Sequence, residues 1–167
     1  MMNNNSSGGV GKTNAMRMLE GLGVEYQFLE YSVEDGRLDA VSIAQKLGVD
    51  PEQVFKTLVT TSFQPSECFV FIIPGCRELD LKKAARAAGR KRLEMLPSKQ
   101  LLPMTGYIHG GCSPLGMKKV FPSWIDETAI LYDSIYVSGG RVGTNLRVSP
   151  FALSETIHAE FLDLIRV

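Results

Sequence analysis

Val54-Phe55-Lys56-Thr57-Leu58-Val59-Thr60-Thr61, followed after a short break by Cys68-Phe69-Val70-Phe71-Ile72-Ile73, decides how the chain is read. Both stretches are rich in β-branched residues and read as strands, with Phe63 to Glu67 and its Pro65 as the turn between them. Strand alternation puts Lys56 on one face with Val54, Leu58 and Thr60, opposite Phe55, Thr57 and Val59. A lysine on a buried face is costly unless it meets an anion or a cavity. It is therefore either an edge-strand lysine reaching solvent or a functional cation.

Helices are expected on either side of this pair. Asp39 caps a helix over Ala40 to Leu47, whose Ala40, Ile43, Ala44 and Leu47 follow helical spacing up to Gly48. Asp80 caps another over Leu81 to Ala88, ended by Gly89. A first helix fits Asn14 to Glu20, and a last one starts at Pro150 behind Ser149. Val24 to Tyr31, Arg92 to Met95, Gly106 to His109, Ile130 to Tyr132, Ile135 to Ser138 and Leu146 to Ser149 read as extended. Strands and helices mix without strict βαβ alternation, so the expected class is α/β in the mixed α+β sense. The expected architecture is a mixed, barrel-like sheet flanked by helices.

The chain has 167 residues and is 44% hydrophobic, enough for one domain with a real core. Residues 13–167 read as that domain, behind a polar, disordered lead-in over 1–12. Eighteen basic and eighteen acidic residues give no net charge, which argues against a DNA-coating protein. The charge is uneven: residues 77–99 carry eight bases and three acids, and residues 25–52 carry seven acids and two bases. The basic stretch is either a solvated helix face or a phosphate-contacting surface. The apolar run Phe69 to Ile73 is far shorter than the ~20 residues of a membrane-spanning helix. Cys68, Cys76 and Cys112 form no Cys-x-x-Cys pair and suit a reducing cytoplasm; with His109 and His158 they have no familiar zinc spacing.

Gly8-Gly9-Val10-Gly11-Lys12-Thr13 ends like a P-loop, but Ser6 stands where that pattern needs its first glycine, and no strand precedes it. The P-loop reading is rejected. Two other glycine-rich segments carry more weight. Thr105-Gly106-Tyr107-Ile108-His109-Gly110-Gly111-Cys112-Ser113-Pro114-Leu115-Gly116 allows close backbone approach, and its N–H groups could hold a phosphate or an oxygen developing negative charge. Tyr136-Val137-Ser138-Gly139-Gly140-Arg141-Val142-Gly143-Thr144-Asn145 is a strand running into a second such turn.

Phe-Lys-Thr-Leu at 55–58, Leu-Asp-Leu-Lys-Lys at 79–83, Gly-Gly-Cys-Ser-Pro-Leu-Gly at 110–116 and Tyr-Val-Ser-Gly-Gly-Arg at 136–141 appear in order. Together they resemble the YbaK/ProX family of aminoacyl-tRNA deacylases, relatives of the editing domain of bacterial prolyl-tRNA synthetases, across about residues 13 to 165. The resemblance implies hydrolysis, in trans and without cofactor or metal, of the ester joining a wrong amino acid to tRNA, with Cys-tRNA(Pro) as the leading substrate. Mischarged tRNA is then the partner, and prolyl-tRNA synthetase a candidate second one. Lys56 matches the family's key lysine, which could hold the carbonyl oxygen, a phosphate or the terminal ribose. Gly110 and Gly111 would present N–H groups to the ester carbonyl, with Ser113 beside them. Tyr31, Thr57 and Ser138 match pocket positions. Asn145 stands where cysteine-specific members are expected to carry aspartate, and an amide has no charge with which to orient an amino group. Either Leu38 or Asp39 could fill a hydrophobic position before Ala40. Lys82, Arg86, Arg90 and Lys91 are the candidate tRNA contacts.

Three alternatives accompany this reading. One is a deacylase for another small amino acid, such as Ala-tRNA(Pro). Another is a non-catalytic module that binds tRNA or a synthetase. A cysteine hydrolase using Cys112 and His109 is the third; it lacks an apparent orienting group.

Overall fold

The computed structural model describes residues 11–62, 64 and 67–167. Most of the expected lead-in, the start of the rejected P-loop segment and Pro65 of the expected turn lie outside the described residues.

The helices begin where their caps dictate. Asp39 accepts the Ser42 N–H at the start of α2 (Ala40–Leu47), and Asp80 accepts the Lys82 and Lys83 N–H groups at the start of α3 (Leu81–Ala88). Thr13 caps α1 (Asn14–Gly21), and Ser149 caps α5 (Pro150–Ile157) with Pro150 in its first turn. A fourth helix, α4 (Ser98–Thr105), was not expected. Pro97 precedes it without a side-chain cap, Pro103 interrupts it, and Gly106 ends it.

The strands form two sheets. Three of them, β1 (Gln27–Glu30), β7 (Thr144–Val148) and β6 (Ile135–Ser138), make an antiparallel sheet with β7 in the middle. The second sheet runs β4-β2-β3-β5-β8, from β4 (Glu94–Met95) through β2 (Phe55–Thr61), β3 (Cys68–Pro74) and β5 (Ser123–Asp126) to β8 (Glu160–Leu162). Its first three strands are antiparallel, whereas β3, β5 and β8 pair in parallel, so the sheet is mixed as expected. The two sheets touch through one parallel bridge, Val54 to Tyr136. They curl toward each other around a common core and do not close into a barrel.

Every residue of β3 is buried because both of its faces are covered. Cys68, Val70 and Ile72 point into the central core with Val59, Ile125, Val137 and Leu146. Phe69, Phe71 and Ile73 point the other way, against Ala84 and Ala85 of α3, with Trp124 stacked on Phe71 at 5.3 Å. A third, smaller cluster joins Tyr31, Val54 and Tyr136 to Ile43 and Ala44 of α2.

Two expected strands are not present. Residues 107–109 form an irregular loop behind the end of α4. Glu127–Leu131 is a 3-10 helix, because the Asp126 carboxylate accepts the Thr128 N–H and hydroxyl and tightens the chain into a turn. The other Asp126 oxygen accepts the Leu164 N–H, which fastens the C-terminal segment to the end of β5.

Candidate active site

The site follows from the way β2, past the Val54–Tyr136 bridge, diverges from the three-stranded sheet. Next to the bridge, the Val54 carbonyl accepts the Gly75 N–H at 2.7 Å; farther along, the Val59 carbonyl accepts the Leu96 N–H at 3.0 Å. On its outer edge β2 pairs with β4 only at Thr60 and Thr61. Between the bridge and β4 that edge is open, and a cavity of about 300 Å³ lies along it. Because the cavity follows an edge, residues of both alternations line it, Lys56 together with Thr57.

Lys56 is half-buried and pairs in register with Ile73, so it stands on the same sheet face as the aromatic cluster under α3. Among the described residues its ammonium has no hydrogen-bond or ion-pair partner. Burial lowers its pKa below the ordinary lysine value, while Glu78 and Cys76 oppose that shift.

The opposite wall comes from the three-stranded sheet. Ser138 and Asn145 are register partners on β6 and β7, and both line the cavity. The Ser138 hydroxyl accepts the Gly140 N–H at 3.2 Å. Asn145 is 3% exposed. Its Oδ1 and the Thr57 Oγ1 are buried side-chain atoms without a hydrogen-bond partner. Tyr31 closes one end; its N–H donates to the Gly143 carbonyl at 3.0 Å, and the Lys46 ammonium lies 5.8 Å from its ring centroid.

The glycine loop forms the rim. Gly110 has φ +83°, a conformation that side chains other than glycine resist, and it lines the cavity. Gly111 lies against the second glycine turn: a Cβ there would stand 3.0 Å from the Val142 nitrogen. Gly111 and Ser113 do not line the cavity. Ser113 is fully buried, and its hydroxyl accepts the Leu115 N–H at 3.3 Å. Five of the expected side chains (Tyr31, Lys56, Thr57, Ser138 and Asn145) thus converge with Gly110, whereas Gly111 and Ser113 support the loop from behind.

Part of the lining was not anticipated. Ala40, Ile43, Gly75 and Leu101 supply apolar wall; Leu38 and Asp39, the two candidates for the position before Ala40, both line the cavity, and Leu38 also packs against the Tyr31 cluster. Asp39 serves in addition as the cap of α2. Cys112 and His109 also line the cavity, but burial pushes the Cys112 thiol up to about 11, which keeps it protonated and a poor nucleophile.

The basic stretch lies on the α3 side of the second sheet. Lys82, Arg86 and Lys91 are exposed. Arg90 is exposed as well, but its guanidinium pairs with Glu67 and sits 5.2 Å from the centre of the Phe69 ring. Arg77 is paired with Glu52 at 2.7 Å and Lys83 with Asp163 at 2.9 Å. Fewer cations therefore face outward than the sequence count suggests. No described helix is long and apolar enough to cross a membrane.

The profile of the aminoacyl-tRNA editing domain matches residues 35–156, which span the lysine strand, both glycine loops and the cavity walls apart from Tyr31. The chain belongs to this family. A relative from Enterococcus faecalis, "Putative Cys-tRNA(Pro)/Cys-tRNA(Cys) deacylase EbsC", is 44% identical over 153 residues, covering 92% of this chain and 93% of the relative. A crystal structure of "a putative trans-editing enzyme for prolyl tRNA synthetase" superposes with a TM-score of 0.83 at 26% identity, covering 95% of this chain and all of that one. A structure from work on grafting linear epitopes onto scaffold proteins gives 0.82 at 27% identity, with 94% and 99% coverage. Membership in the editing family agrees with the resemblance carried by the ordered motifs.

Proposed function

We propose that the chain is a free-standing aminoacyl-tRNA deacylase that removes a wrongly attached small amino acid, with Cys-tRNA(Pro) as its leading substrate. The observation that carries this reading is the convergence of Lys56, Thr57, Ser138, Asn145 and Gly110 on one cavity at the open edge of β2. The name of the Enterococcus relative supports the choice of cysteine.

An aminoacyl ester is already activated, so positioning and polarisation of its carbonyl provide much of the rate. The unpaired Lys56 ammonium holds the carbonyl oxygen, a phosphate or the terminal ribose. The Gly110 loop brings backbone N–H groups to the rim where the acyl carbon sits, with Gly111 and Ser113 fixing its shape. Water, the neighbouring ribose hydroxyl or a cysteine substrate's own thiol attacks. Tyr31, Thr57 and Ser138 shape the pocket for a small side chain, and Asn145 faces the amino acid with a neutral amide.

The tRNA body lies along Lys82, Arg86 and Lys91. Arg90 contributes less because Glu67 already holds it. Prolyl-tRNA synthetase would deliver the substrate. Reversing the charge of Arg86 and Lys91 should weaken tRNA binding and lower its salt slope by about one per lost phosphate contact. An unchanged slope removes this surface assignment.

The deciding experiment measures hydrolysis of Cys-tRNA(Pro), Ala-tRNA(Pro) and Pro-tRNA(Pro) by wild type and Lys56→Ala. Hydrolysis of one mischarged species by wild type, reduced about 10²–10³-fold in the variant as for loss of one polarising donor, supports the reading. Binding of tRNA without hydrolysis points to a non-catalytic module, and activity that survives in Lys56→Ala discards the lysine.

A further inference from the structure

Asp39 is the one carboxylate among the residues that line the cavity. It stands where the chain turns into α2, and its work as a cap leaves it able to take a ligand. One oxygen accepts the Ser42 N–H at 3.0 Å and the other the Ser42 hydroxyl at 2.7 Å. A carboxylate has about four lone-pair sites, so neither oxygen is saturated by these bonds. The same two bonds hold its carboxyl below the ordinary aspartate value, which keeps it an anion at neutral pH. Among the described residues it forms no ion pair; Arg37, upstream on the same segment, is the cation whose charge reaches it.

The cavity is thus lined by one lysine and one carboxylate on different elements, Lys56 on β2 and Asp39 at the head of α2. They are not paired with each other. An aminoacyl ester carries the matching pair of charges: a carbonyl oxygen that becomes negative on attack, and an α-ammonium two bonds from the carbonyl carbon. Lys56 suits the first and Asp39 the second, so that each charge brought into the cavity meets an opposite one. Asn145, 3% exposed, and Thr57 line the same cavity, and each has a side-chain oxygen without a protein partner. Those oxygens accept an N–H from a charged or an uncharged nitrogen alike. The choice between the two falls to the carboxylate, whose bond to an ammonium is charge-assisted on both sides.

We propose that Asp39 is a specificity-determining residue that anchors the substrate's α-ammonium, so that the cavity selects acyl groups with a free, protonated α-amine over those in which it is replaced. This inference rests on the deacylase reading above and deepens it by naming the substrate class.

The test uses Asp39→Asn, which removes the charge and keeps the cap, since asparagine caps helices as well as aspartate does. Two esters are compared: Cys-tRNA(Pro), and mercaptolactyl-tRNA(Pro), in which a hydroxyl replaces the α-ammonium. Reading variant against wild type on each ester cancels their different intrinsic reactivities. Asp39 is exposed, so a charge-assisted bond there counts at the low end of its range. Asp39→Asn should lower kcat/KM about tenfold for Cys-tRNA(Pro) and less than about twofold for the hydroxy ester. Asp39→Ser, another good cap, should do the same and decides alone if Asp39→Asn fails to fold. An equal fall on both esters shows a cap and nothing more; no fall on either shows that the ammonium binds elsewhere. Both outcomes overturn the inference and leave the deacylase standing. Where the wild type hydrolyses Ala-tRNA(Pro) instead, lactyl-tRNA(Pro) serves as its hydroxy counterpart and the outcomes are read in the same way. Hydrolysis of no mischarged ester by wild type removes the deacylase reading, and the inference with it.

Discussion

Replacing Tyr107 with phenylalanine tests whether the glycine loop is held from behind. Tyr107 is 5% exposed, and its hydroxyl donates to the Leu115 carbonyl at 2.6 Å. Its ring also packs where a Cβ on Gly140 would come within 2.9 Å, so one side chain touches α1, the 110–116 loop and the second glycine turn. Tyr107→Phe keeps the ring and removes one oxygen, which leaves the fully buried Leu115 carbonyl without that partner. With a cost of about 1–3 kcal/mol for an orphaned buried group, stability should fall by about that amount. For a domain of this size that corresponds to a fall in Tm of about 2–12 °C, read by calorimetry. Single-turnover deacylation should fall as well, because Gly110 sits on the loosened loop. A Tm within about 1 °C of wild type would show that the loop is not held this way.

Two further outcomes follow from buried groups. Burial pushes Tyr107 up to about 12 from 10.0 and Cys112 up to about 11 from 9.0, so the unfolded chain gives up these protons first. Stability should be intact below about pH 9 and fall by about 3–5 kcal/mol as pH rises through about 9–12, part of the loss disappearing in Cys112→Ala; a urea midpoint that stays flat from about pH 8 to about 11 contradicts this. Thr57→Val removes a buried hydroxyl that has no partner in the free protein, so the Tm should hold or rise by about 2–4 °C while kcat/KM falls, and a clear drop in Tm would show that the hydroxyl is satisfied in solution.

What the sequence made legible was what local chemistry dictates. Asp39 and Asp80 with Gly48 and Gly89 mark both ends of α2 and α3, and the β-branched runs mark β2, β3 and β6. The misses occur where tertiary contacts override local signals. In α4, Pro103 removes an N–H inside the helix and Pro97 offers no side-chain cap, so nothing local announces it. Strand β5 has four residues, and its place comes from parallel pairing between β3 and β8. Ile130 to Tyr132 has strand-like residues, but the Asp126 carboxylate upstream winds the chain into a 3-10 turn. In the site, Lys56 stood out because a lysine inside an apolar strand demands an explanation. Leu101 and Gly75 did not, because their roles depend on which surfaces the two sheets leave uncovered.

The position of the cavity follows from an incomplete sheet. A strand edge left open exposes backbone groups that natural proteins usually pair or cover. Here the edge of β2 is covered at its ends, by the Tyr136 bridge and by β4, and open between them, where Lys56 and Thr57 lie. Among the described residues, the two buried side-chain oxygens without a protein partner belong to Thr57 and Asn145, residues that line that same opening from opposite walls. Each unmet oxygen costs about 1–3 kcal/mol in a folded chain. Together with the Lys56 ammonium these oxygens mark the place where the uncovered edge leaves polar groups that the protein itself does not pair. An acyl group seated there would have to span from β2 to β7 to engage both walls, and a ligand too short to do so would engage only one.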